Sequence, residues 1–119
     1  MNQRRPYTGV LNQGEIEGMI LALSDELETT TYSYADLSDS AAIAEADYKL
    51  IAAKEFILLS PIKMTVQERG ARVDVSCTHE FRAWKIAEAR RQSAKEALLS
   101  LRGRIDATRT LSANVRNQT

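Results

Sequence analysis

Proline occurs only twice in the 119 residues, at Pro6 and Pro61, so Pro61 alone interrupts the chain beyond its first few positions. Proline lacks the amide that a helix interior needs and disfavours helical conformation in the residue before it. Two long uninterrupted stretches remain, and each carries a seven-residue apolar repeat. In the first, Ile16, Ile20, Leu23, Leu27, Thr30, Tyr34, Leu37, Ala41, Ala44, Tyr48, Ile51 and Leu58 follow in steps of four and three, with only Glu55 interrupting. Such a stripe is the seam by which one helix packs along another. Asn12-Gln13-Gly14-Glu15 offers a side-chain acceptor for the first free amides and a carboxylate three residues on, which places the helix start there.

The second stretch opens on Thr65-Val66-Gln67-Glu68, a capping box. Val73, Cys77, Trp84, Ala87, Ala94, Leu98, Leu101 and Ile105 continue the same spacing, with Glu80 and Arg91 as polar interruptions, and the helix should fade near Asn114. The spacing therefore predicts an all-α fold of two long helices, at 13–60 and 65–113, folded back as an antiparallel coiled-coil-like hairpin. Residues 1–11 form an irregular arm and 12–119 the hairpin domain. Gly103 falls inside the second helix with no motif to explain it. An alternative reading stands beside this one. Arg72 to Cys77 alternates with period two, and Glu28 to Tyr34 is rich in threonine and tyrosine, so both could be short strands, although neither has hairpin turn chemistry on both sides.

Length bounds the chain at one domain, and 44% hydrophobic with 27% charged residues excludes a disordered polyelectrolyte and a membrane protein. The single cysteine, Cys77, excludes an internal disulfide and fits a reducing compartment. No apolar run suits a signal peptide or a membrane span, so a cytoplasmic location is expected.

The net charge of zero conceals an asymmetry. From Asn12 to Ser60 ten acids stand against two bases, a net of −8; from Pro61 onward twelve bases stand against six acids, a net of +6, and Arg4 and Arg5 supply the rest. In an antiparallel hairpin the acidic stretch runs beside the basic one, so the plainest reading is that these charges form the flanking pairs of a coiled coil. The functional reading is that bases near the turn escape pairing and contact phosphate. Lys49, Lys54, Lys63, Arg69 and Arg72 are the candidates, with Arg82 and Lys85 further along. Tyr48, Phe56 and Trp84 could stack on unpaired bases, though Tyr48 and Trp84 also occupy the seams, where core packing is the plainer role.

No phosphate-binding glycine loop, nucleophile elbow or zinc-protease motif occurs, and Cys77 and His79 are spaced to point apart on a helix, so neither catalysis nor a bound metal or cofactor is expected. Acid pairs such as Asp25-Glu26 and Asp36 with Asp39 read as solvated charge. Two long helices bury only one stripe each. The additional apolar residues Met19, Leu21, Leu50, Phe56, Ile57 and Leu59, with Ile86, Leu99 and Leu111 on the second helix, point to a second contact surface and to self-association.

The run Ala42 to Leu59, a short connector, and a second helix bearing Trp84 and ending in Leu98-Leu99-Ser100-Leu101-Arg102-Gly103-Arg104-Ile105-Asp106 resemble the small phage recombination mediators of the UvsY type, over roughly residues 42–116. The resemblance implies a helical protein that binds single-stranded DNA without sequence preference and helps a recombinase displace single-strand-binding protein. It also implies a ring of subunits closed through the C-terminal region, where Trp84, Leu98, Leu101, Ile105 and Leu111 are the candidate contacts. Lys49 matches the basic cluster of that family, with Lys54 close by, whereas Ala53 and Glu55 stand where further positive charge is expected. Two other functions compete: a structural coiled-coil scaffold, and a small inhibitor of a host or defence protein whose acidic first helix mimics nucleic acid.

Overall fold

The computed structural model describes residues 11–117, which form three α-helices: α1 (Gln13–Leu59), α2 (Val66–Ser76) and α3 (Thr78–Asn117). The fold is all-α, and the two long helices pack against each other. Both segments that might have been strands are helical. The arm expected at 1–11 lies, apart from Leu11, outside the described residues.

Each boundary has a local cause. At the start of α1 the Glu15 amide donates to Asn12 Oδ1 at 2.8 Å, and Asn12 Nδ2 donates to the Glu15 carboxylate at 2.7 Å. At its end the Ser60 amide donates to the Ile57 carbonyl at 3.1 Å and the Ile62 amide to that of Leu59 at 3.0 Å, a tight turn around Pro61. The capping box is formed as well, with the Glu68 amide donating to Thr65 Oγ1 at 3.0 Å and the Thr65 amide reaching the Glu68 carboxylate at 3.4 Å.

The second long helix departs from expectation, being two helices that meet at Cys77 and run four residues past the expected end at 113. Cys77 has φ −106° and ψ 19°, off the helical ideal, yet its amide still donates to Val73 O and the Phe81 amide to Cys77 O, both at 2.9 Å. Thr78 compensates for the disturbed turn, its hydroxyl donating to the carbonyls of Asp74 at 2.9 Å and Val75 at 3.0 Å. The phase of the apolar repeat survives, so Val73 and Cys77 before the break and Leu98, Leu101 and Ile105 after it are all buried.

The chain divides into two compact units, one from residues up to Tyr32 and from Lys95 onward, the other Ser33–Ala94. In the first unit Leu23, Leu101 and Ile105 form the core with Leu27 against it. Towards its end Gln13 Nε2 donates to the buried Ser112 hydroxyl at 2.8 Å, so α1 and α3 run antiparallel there. The predicted subunit contacts Leu98, Leu101 and Ile105 need correction here: burial within the single chain leaves them no surface to offer another copy. Leu111 stays partly exposed.

In the second unit Tyr48, Phe81 and Trp84 pack together, Tyr48 stacked on Trp84 at 5.3 Å and Phe81 edge-on to both. Arg91, the polar interruption in the seam, is held by Glu88 three residues earlier and by the Tyr34 hydroxyl across the helix pair at 3.3 Å. The hydrogen bond from Arg91 holds the Glu88 carboxyl below its usual range, and that same bond, then Tyr34, pushes the guanidinium further up.

Candidate nucleic-acid interface

The five predicted bases meet different fates. Lys49 is exposed but bound to Glu45 at 2.6 Å, with its ammonium 6.0 Å from the Trp84 ring centre. Arg69 is half-buried, its guanidinium lying 5.2 Å over the Phe56 ring and reaching the Ile62 carbonyl at 3.5 Å. It braces the turn between α1 and α2, with Phe56, still partly exposed, beneath its guanidinium. Lys54, Lys63 and Arg72 are exposed, with no ion pair described for any of them.

Along α3, Arg82 lines a shallow groove of about 650 Å³ with Thr78, His79, Ala83 and Ile86, and Arg90 lines another of about 510 Å³ with Leu37, Ile86 and Ser93. Arg72 lines a third, of about 400 Å³, with Leu59, Ala71 and Val75. Lys85 caps the aromatic cluster, 4.2 Å from the Trp84 ring centre. Arg90 is one of the bases that the charge count does not single out; its place one residue before the seam position Arg91 is the signal that marks it as a flanking side chain.

The expected coiled-coil charge pairing is not what these bases do. The ion pairs among the described residues, Lys49–Glu45, Arg91–Glu88 and Arg109–Asp106, each lie within one helix. On α1 the acids Asp25, Glu26, Glu28, Asp36, Asp39 and Asp47 all face solvent. Lys95, Arg102 and Arg109 recur at seven-residue steps on α3, and none of them has an ion pair to α1 among the described residues. The acidic and basic surfaces are thus both left available.

Among the described residues no group of three or more His, Cys, Asp or Glu is placed to hold a metal ion, and no helix is long and apolar enough to cross a membrane. Cys77 is fully buried, and its thiol is pushed up first by burial and then by Glu55, Glu80 and Asp74. Because the thiolate is the reactive form, a thiol reagent should label Cys77 in the native protein far more slowly than in urea-unfolded chain. Equal rates would show that the α2–α3 junction is open in solution.

No protein family matches this chain, and no curated protein or solved structure matches it.

Proposed function

We propose that this protein is a non-catalytic accessory that binds single-stranded DNA without sequence preference through the basic surface of the turn, α2 and the start of α3, and that it serves recombination by assisting the loading of a recombinase. The observation that carries the binding reading is the absence of cross-helix ion pairs among the described residues: Lys63, Arg72, Arg82 and Arg90 are exposed with no carboxylate described beside them. Several such cations on one unit release counterions from a phosphate backbone, which is the dominant, sequence-independent part of nucleic-acid affinity. The recombinase and single-strand-binding protein as partners, and the phage setting, rest on the UvsY-type resemblance.

Anisotropy of a labelled thymidine oligonucleotide across a salt series tests this. Binding at low salt, weakening linearly on a log–log plot, is the expected result. The triple substitution of Arg72, Arg82 and Arg90 by glutamine should flatten the slope by about 2, at ~0.7 per phosphate contact on a single strand. Absence of binding at low salt by a chain that is helical by circular dichroism would overturn the reading.

A second reading draws on the acidic surface. Asp25, Glu28, Asp36 and Asp39 are exposed with no ion pair described, as an α1 that mimics nucleic acid would require. Capture of a DNA-binding enzyme, competed away by DNA, would favour it. The scaffold reading is weaker, since it relies on cross-helix charge pairing.

A further inference from the structure

The seam that joins α1 to α3 is not the only heptad stripe on α1. Ile43, Ala46, Leu50, Ala53 and Ile57 follow in steps of three, four, three and four, and all five are exposed, the large ones at 62% for Ile43, 55% for Leu50 and 67% for Ile57. Counted at 100° per residue, this stripe lies on the side of α1 opposite the seam positions Ala41, Ala44, Tyr48 and Ile51, all of which are at least half-buried. Seven-residue periodicity has no use on a solvated face. It is the pattern of a helix that packs on two sides.

The stripe also has definite ends. One step earlier stands Asp39, and one step later Ser60, followed by Pro61, so the apolar face covers 43–57 and is centred on Leu50. Its sizes are symmetric about that centre, isoleucine at both ends, leucine in the middle and alanine between. A helix with such a pattern matches a second copy of itself running the other way: Ile43 meets Ile57 of the other copy, Ala46 meets Ala53, and Leu50 meets Leu50 on the two-fold axis. The alanines allow close approach between the three larger layers.

Charge chooses the same orientation. Asp47 and Lys54 flank the stripe seven residues apart on one side, both exposed and with no ion pair described for either. In the antiparallel arrangement Asp47 of each copy faces Lys54 of the other, giving two reciprocal pairs. A parallel arrangement would instead set Lys49 beside Lys54 of the other copy. On the remaining side of the antiparallel pair, Ala42 faces Phe56 and Lys49 nears its own symmetry mate, where the Glu45 carboxylate 2.6 Å away already neutralises it.

We propose that residues 43–57 of α1 form an isologous, antiparallel dimer interface between two copies of this chain, centred on Leu50 and oriented by reciprocal Asp47–Lys54 pairs. This assigns Lys54 to self-association and not to phosphate, and it stands independently of nucleic-acid binding.

Sedimentation equilibrium of the full chain at micromolar concentration tests the proposal, with a species of about twice 13.3 kDa as the expected result. Leu50→Glu sets two carboxylates against each other on the axis and should raise the dimer dissociation constant at least tenfold, with helicity unchanged because the side chain is exposed in the single chain. Asp47→Lys and Lys54→Asp should each weaken the dimer, and the double exchange should restore it. In a Cys77→Ala background, Leu50→Cys should crosslink to its symmetry mate on oxidation. The proposal is overturned by a monomer at every concentration, which would leave the stripe to a different protein. It is equally overturned by an oligomer whose mass Leu50→Glu leaves unchanged, or by a double exchange no better than the single ones.

Discussion

Leu101→Ala is expected to destabilise the first unit by about 2–5 kcal/mol, the range for truncating a buried leucine, while Leu99→Ala, two residues away, should cost far less. Leu101 is 3% exposed and packs in the cluster with Leu23 and Ile105, whereas Leu99 is 56% exposed. Truncation of Leu101 removes its transfer free energy and also leaves a void that two helices joined along their whole contact cannot easily collapse. Leu99 already stands more than half in solvent, so its truncation leaves no enclosed void. Urea unfolding followed by circular dichroism measures both. Equal effects would mean that the α1–α3 seam has been assigned to the wrong face of α3.

Trp84→Ala should be comparably severe in the second unit, at roughly 3–5 kcal/mol. The ring supports Tyr48 by stacking, meets Phe81 edge-on and carries Lys85 over it, so its loss dismantles the whole cluster. Trp84→Phe should cost distinctly less. A phenyl ring retains most of those contacts, and the indole Nε1–H that it deletes is buried without a hydrogen-bond partner among the described atoms. If alanine and phenylalanine are equally damaging, the stacking is not what holds this end of the unit together.

Much of the fold is legible in the sequence because it depends on periodicity, which a chain displays directly. Of the twelve seam residues expected on α1, every one from Ile16 to Ile51 is buried or half-buried. Leu58 is the exception, at 68% exposure. The helix ends one residue beyond it, and with the turn at Pro61 so close it is Leu59 and Glu55 that are half-buried. The interruption at Cys77 is not legible, because the apolar phase runs through it unbroken and the Thr78 hydroxyl substitutes locally for regular helix geometry.

The candidate site was less legible, for a different reason. A count of acids and bases per stretch says nothing of where around each helix they point. The −8 and +6 stretches look complementary, but most acids of α1 are exposed, and the ion pairs among the described residues each lie within one helix. Arg69 illustrates the same difficulty at one residue. Its attraction to Phe56 across the turn could be found only once the turn had brought the two together.

The polar members of the seam bear on uniqueness more than on strength. Seams of evenly spaced leucine, isoleucine and alanine tolerate a slip of one heptad, since most apolar layers would meet other apolar layers. Arg91 finds the Tyr34 hydroxyl, and Gln13 finds Ser112, at only one alignment of α1 with α3 in their respective units. A slipped pairing would break both bonds and strand the partly buried Gln13 amide, at a cost of about 1–3 kcal/mol for an unsatisfied group, while Arg91 would keep only Glu88. These two bonds add little to the native state, yet they separate it from its nearest misaligned competitors.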